Sequence, residues 1–145
     1  GALDDEYQRA AQALQTQTWP LGERYSWLAN LPHAETRRRI AGAQALVISS
    51  VMEGGANVIV EAITSGVPVL ASRIPGNIGM LGRDYEGYFP PGDAAQLAEL
   101  LQRASQDIGF LTRLRQQCAQ RAPLFAPARE RAEVIKLVAD ALRPT

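Results

Sequence analysis

At 145 residues the chain is long enough to bury the core of one domain. Its 46% hydrophobic and 21% charged content is that of ordinary globular proteins. Fifteen Lys plus Arg balance fifteen Asp plus Glu, so no basic excess exists to neutralise a phosphate backbone, and a nucleic-acid partner is set aside. The one basic cluster, Arg37-Arg38-Arg39, falls in a helical stretch, where successive side chains diverge, and reads as a solvated helix face. The single cysteine, Cys118, excludes an internal disulfide or a multi-cysteine metal site. It shares a helical face with Leu111, Leu114 and Ala122 and reads as core. No apolar run reaches the roughly 20 residues of a membrane-spanning helix, and no signal peptide stands at the start, so the expected location is cytoplasmic by default.

In chain order, Tyr7, Ala10, Ala11 and Leu14 have helical spacing and predict a helix over Asp4 to Thr18. Tyr25-Ser26-Trp27-Leu28-Ala29 reads as a strand, and Leu31-Pro32-His33 as a turn into a helix from about Ala34 to Gly42. Ala45 to Ser50 is an apolar strand suited to burial on both faces. A diglycine loop follows, then a helix from about Asn57 to Ser65, closed by Gly66 in a left-handed conformation and stopped by Pro68. Val67 to Ser72 and Gly87 to Pro90 are further strands. Asp93 and Gln96 have the spacing of a capping box, opening a helix that buries Leu97, Leu100, Leu101 and Ala104. Two more helices are expected, over about Asp107 to Ala122 and about Pro127 to Leu142. Alternating strands and helices predict one α/β domain, a Rossmann-like parallel sheet covered by helices on both faces. Such domains usually begin with a strand, so a start almost directly in a helix suggests a piece of something longer.

The chemistry concentrates between Ser49 and Pro68. This stretch follows the carboxyl end of a strand, where ligands bind in open α/β sheets. Gly54 and Gly55 allow a ligand close to the backbone. Asn57 suits a helix N-cap, and the free N–H groups behind it seat phosphate. The helix is nearly all apolar except for one line: Asn57, Glu61, Thr64 and Ser65, at i, i+4, i+7 and i+8. Two readings stand. Either Glu61 takes ligand hydroxyls, with Glu53 facing the same cleft, or the line is the solvent face and Glu61 favours the positive end of the helix dipole.

Glu53 and Glu61, with seven residues between them, with Gly54 and then Ser65-Gly66-Val67-Pro68-Val69, resemble the Glu-x7-Glu signature of retaining glycosyltransferases of the GT-B fold. Pro90-Pro91-Gly92-Asp93 before a helix, Leu28 to Pro32 and Ala45 to Ser50 fall in that family's order. The resemblance covers nearly the whole chain and implies one half of a GT-B enzyme, the nucleotide-sugar-binding half. It implies that Glu53 meets hydroxyls of the transferred sugar as the catalytic carboxylate and that Glu61 accepts from the ribose. Gly54 and Gly55 with the amides of Ala56, Asn57 and Val58 would hold the diphosphate, and main chain near Asn30 and Leu31 would meet the base. It further implies retention of configuration, no cofactor and no divalent metal, because amides and basic side chains carry the leaving diphosphate. The acceptor would come from a separate N-terminal domain, and the basic Arg and Lys pair that clamps the diphosphate would lie before Gly1.

This chain departs from the pattern at Glu53-Gly54-Gly55-Ala56, where the family often has Glu-Gly-Phe-Gly, and at Arg73 to Gly79, which lacks a later glutamate. Arg73 reads as a surface arginine. The Glu53 to Val58 and Ser72 to Gly82 segments look like a bacterial branch that includes selenosugar synthases, which join selenophosphate to the sugar of UDP-N-acetylglucosamine or UDP-glucose. His33 reads as a capping or exposed residue and Trp19 and Trp27 as packing residues. The rival readings are a nucleotide-sugar epimerase of the same fold and a non-catalytic flavodoxin-like module. A dinucleotide oxidoreductase is disfavoured, because Gly76-x-x-Gly79-x-x-Gly82 lacks the Gly-x-Gly-x-x-Gly spacing.

Overall fold

The computed structural model describes residues 5, 9, 28, 30–52 and 56–125. The chain divides into two compact units, Gly1–Thr36 and Arg37–Thr145. In the first unit, Asp5 and Arg9 are helical, as the 4–18 pattern requires, and Leu28 is the one described residue of the expected 25–29 strand and lies in no strand. The expected helix at 127–142 and both tryptophans lie outside the described residues.

Helix α1, His33–Ala41, starts after Pro32, whose carbonyl accepts from the N–H groups of Glu35 and Thr36. Strand β1 is Leu46–Ile48, helix α2 is Ala56–Thr64 and strand β2 is Val69–Ser72. Helix α3, Pro75–Leu81, precedes β3, Tyr88–Phe89. Helices α4, Ala94–Gln106, and α5, Ile108–Arg121, follow, then a 3-10 turn at Ala122–Leu124. The three strands form a parallel sheet in the order β1-β2-β3, with Leu46 opposite Val69 and Ala71 opposite Tyr88. Both crossovers run the same way across the sheet, and right-handed connections then put α2 and α3 on one face. They pack on each other there, and α5 packs on both.

Strand β2 is the centre of the molecule. All four of its residues are buried, and since side chains alternate across a strand, both its faces are covered. The α/β architecture with a parallel sheet is the one the sequence pattern predicts, a Rossmann-like half of a GT-B fold. Against β2 pack Ile59, Ala62 and Ile63 of α2 and Phe110, Leu114 and Cys118 of α5, all in one apolar cluster. Cys118 is core, as its helical face implied. Gly66 takes φ +74 after α2, the left-handed closure expected there.

Several expectations change. Helix α3 stands where no element was expected, between the strands at 67–72 and 87–90. Pro75 sits in its first turn, where a missing N–H costs nothing, and Ile74, Asn77, Ile78 and Leu81 form its inward stripe at i, i+3, i+4 and i+7. The Asp93 side chain caps α4 by accepting from the Gln96 N–H at 3.0 Å. The return half of the box is replaced, because the Asp93 N–H goes to the Pro90 carbonyl. Leu101 is exposed, not buried, because α4 turns only Leu97, Leu100 and Ala104 inward. Asn57 is the second residue of α2 and not its N-cap.

One tyrosine extends the sheet beyond the end of β3. The Ala71 N–H donates to Gly87 and the Arg73 N–H to Phe89, and the next position along β2 is served by a side chain. The Tyr85 hydroxyl accepts from the Val69 N–H at 3.2 Å and donates to the Val69 carbonyl. The Cys118 thiol donates to the Tyr85 hydroxyl oxygen at 3.3 Å. Burial pushes the Tyr85 phenol well above its ordinary range and the Cys118 thiol up as well, so both keep their protons for these bonds. Gly87 is required beside them, because a Cβ there would lie 2.6 Å from both the Val69 carbonyl oxygen and the Tyr85 ring. Replacing Tyr85 by phenylalanine strands both Val69 backbone groups in the core and should cost about 1–3 kcal/mol. Urea denaturation checks this; a variant as stable as the parent would show that the hydroxyl adds nothing to the sheet.

Candidate functional site

The parallel ladder puts the carboxyl ends of all three strands along one edge. The turn from β1 reaches α2 there, and the Pro90-Pro91-Gly92 turn leaves β3 there. Helix α2, described from Ala56, presents its N-terminal end to this edge, and the opening N–H groups of a helix lack an acceptor within the helix itself. Ala56 and Asn57 are exposed at that turn, with Val58 half-buried. Ile59, Ala62 and Ile63 are buried on the inner face, while Asn57, Glu61, Thr64 and Ser65 occupy the outer line, as their spacing predicted. Val51 and Met52, just before residue 53, are 64% and 91% exposed, large apolar groups held out at the same edge.

Glu61 is neither free in water nor locked in the core. Its side chain is 25% exposed, and its Oε1 lies 3.2 Å from the Nε of Arg37, itself 58% exposed. The basic cluster is thus not only a solvated face, since its first member crosses from α1 to α2. The pair is open on one side. Oε2 makes no hydrogen bond within the described residues, and a carboxylate offers about four lone-pair sites, so Glu61 keeps acceptor capacity for a hydroxyl.

Behind the same edge runs a buried polar chain that the sequence reading did not find. The Ser72 hydroxyl, at the end of β2, donates to the Ser50 carbonyl at 2.5 Å. Asn77, in the first turn of α3, donates its amide to the Ser72 carbonyl at 2.9 Å and to the Ser72 Oγ at 3.2 Å. Both side chains are fully buried. The signal was an asparagine on an otherwise apolar i, i+3, i+4, i+7 stripe, visible only once 75–81 is read as a helix.

Glu53, Gly54 and Gly55 lie outside the described residues, so the catalytic carboxylate and the diglycine bend are not located. Asn30 and Leu31 belong to the other compact unit and are described there as a bend and an unstructured residue. His33 is exposed at the start of α1, as expected. Arg73 is a surface arginine, its guanidinium on the Arg83 carbonyl at 3.3 Å and 5.2 Å from the centre of the Tyr88 ring. Gly82 takes φ +93 and ends α3, so the spaced glycines build a helix and its terminus and no dinucleotide turn.

Among the described residues, two hollows flank the sheet. One of about 160 Å³ lies at the carboxyl edge between Ser49, Phe89, Gly92, Asp93, Ala94 and Leu97. A larger one, about 310 Å³, lies at the opposite end, before β3. Its Arg121 is already committed, donating to the Met80 and Gly79 carbonyls that end α3. We place the candidate site at the carboxyl edge, where α2 opens and carries an accessible carboxylate, Glu61. Among the described residues, no three His, Cys, Asp or Glu side chains converge to hold a metal ion, and no helix is long and apolar enough to cross a membrane.

A parallel α/β sheet with a helix opening at its carboxyl edge, and Glu61 on that helix's outer line, is the architecture of a Rossmann-like half of a GT-B fold. Residues 3–125 match the family described as glycosyl transferases group 1, and the chain belongs to that family. No match was found among curated proteins.

The Arg37–Glu61 pair is half in solvent, and such pairs contribute at most about 1 kcal/mol. Arg37→Ala should therefore change unfolding free energy by less than that in a urea titration. A loss of several kcal/mol would mean that Glu61 serves to pin α1 to α2.

Proposed function

We propose that this chain is the donor-binding half of a retaining glycosyltransferase that moves a hexose or N-acetylhexosamine from a nucleotide diphosphate sugar, UDP-linked by sequence resemblance. The reading rests on one observation: an accessible carboxylate, Glu61, one turn behind the free amides of α2, at the ligand-binding edge of the sheet. The diphosphate would sit on the amides of Ala56, Asn57 and Val58 beside Gly54 and Gly55, where the helix dipole favours negative charge. Glu61 would then stand a turn deeper to accept from the ribose hydroxyls through its free oxygen. Arg37 orients the other oxygen, so ribose binding does not require the ion pair to break. Asn30 and Leu31 are assigned to the base by resemblance alone.

In the transfer, the bond from the anomeric carbon to the β-phosphate oxygen breaks and one to the acceptor forms on the same face. The nucleotide diphosphate leaves with the bonding pair. The α2 amides carry the charge that develops on it, which is what fixed donors do best in a water-poor cleft. Glu53 would hold the sugar by its hydroxyls, and the acceptor would be brought by another domain of a longer protein. The likeness of the 53–58 and 72–82 segments to a branch that includes selenosugar synthases makes selenophosphate a candidate for that acceptor.

In the full-length enzyme, Glu61→Ala should weaken donor binding about ten- to a hundredfold, the loss of one charge-assisted hydrogen bond. Glu53→Gln should lower kcat more than donor affinity. Calorimetric titration with UDP and steady-state kinetics check both. Unchanged affinity in the first variant, or conversion of the donor to its epimer with no acceptor present, would contradict the reading.

A further inference from the structure

Asn77 is fully buried, yet only half of it is used. Its amide hydrogens go to the Ser72 carbonyl and hydroxyl, while its Oδ1 has no hydrogen-bond donor among the described residues. An orphaned buried acceptor costs about 1–3 kcal/mol. The orientation of the amide is fixed nonetheless, because the reverse would face two carbonyl-type acceptors, Asn77 Oδ1 and Ser72 O. The direction of donation is also fixed along the chain. Asn77 donates to the Ser72 Oγ, and the Ser72 hydroxyl spends its one proton on the Ser50 carbonyl.

A purely structural role accounts for little of this. The turn between β2 and α3 is already closed by the Ile74 N–H on the same Ser72 carbonyl, at 3.0 Å, and α3 is started by Pro75. The amide bond to that carbonyl is therefore redundant. The bond to the Ser72 Oγ is the one that nothing replaces, and its effect is to hold the hydroxyl on Ser50. Ser50 is the last half-buried residue of the turn leaving β1, three positions before Glu53.

We propose that Asn77 is a positioning residue of the donor site: through the Ser72 hydroxyl it anchors the Ser50 carbonyl, and with it the base of the loop that carries Glu53. The proposal rests on the donor-site reading for its consequence in catalysis, but its physical content is the anchoring of Ser50 in the turn that leaves β1. Asn77→Leu keeps the branched shape in a larger side chain, removes the orphaned acceptor and frees the Ser72 hydroxyl to rotate. Its melting temperature should equal or exceed that of the parent chain, whereas amide hydrogen exchange over 50–56 should quicken about tenfold. Ser72→Ala deletes the same anchor with a smaller change and should give the same faster exchange, and Ser72→Thr should restore slow exchange.

In the full-length enzyme Asn77→Leu should raise the donor KM about tenfold with stability intact. Unchanged exchange over 50–56 in both Asn77→Leu and Ser72→Ala would overturn the anchor. Faster exchange with unchanged kinetics would overturn the positioning role. Failure of the Glu53 assignment is read separately, from normal turnover in Glu53→Gln while Asn77→Leu still loosens the loop.

Discussion

Burial of Ile59, Ala62 and Ile63 against strand β2 decides which way helix α2 can face. With those three residues inward, the helix has one rotation available, and that rotation puts Asn57, Glu61, Thr64 and Ser65 outward. The parallel ladder then decides the other coordinate. Because each strand ends at the same edge, the helix that follows β1 opens there, with its first amides toward the rim. Position and orientation of the site thus follow from apolar packing, and the polar residues need only be of the right kind.

The site is built with modest electrostatics. Arg37 and Glu61 neutralise each other at the rim, and neither is deep enough to carry a large desolvation cost. The charge that would stabilise a leaving diphosphate is the partial charge of main-chain N–H groups, fixed in place by the helix and needing no reorganisation. Deeper in, specificity of shape passes to neutral hydrogen bonds, from Asn77 to Ser72 to Ser50. The opposite end of the sheet spends its polar groups on structure: Tyr85 extends the ladder, Arg121 closes α3, and Arg113 holds Glu86 at 2.5 Å, while Gln117 donates to the Glu86 carboxylate and accepts from the Glu86 N–H.

Much of this was readable in the residues. The 3.6-residue period of 57–65 and the apolar runs at 45–50 and 67–72 reported the strand–helix–strand unit directly, because each element has one apolar face or is apolar throughout. Asp93 announced its helix by capping chemistry, and Gly66 its turn by conformational need. Helix α3 was hidden because Gly76 and Gly79 lower helix propensity, and only tertiary packing of Ile74, Ile78 and Leu81 outweighs that. The Arg37–Glu61 and Ser50–Ser72–Asn77 contacts were illegible for a different reason. They join residues that are distant in the chain, and local periodicity carries no information about which helix faces which. Glu53, Asn30 and Leu31 had a basis only in family likeness, and their assignment still stands on that alone.

The central claim is that the amides opening α2 receive the diphosphate of a nucleotide donor. The most direct measurement is the change in backbone amide chemical shifts of the chain during titration with UDP. The account predicts that Ala56, Asn57 and Val58 shift most, with Glu61 following and Glu61→Ala reducing the response at a given UDP concentration. Shifts gathered instead around Arg83 and Arg121 at the far end of the sheet, or none at millimolar UDP, would contradict it.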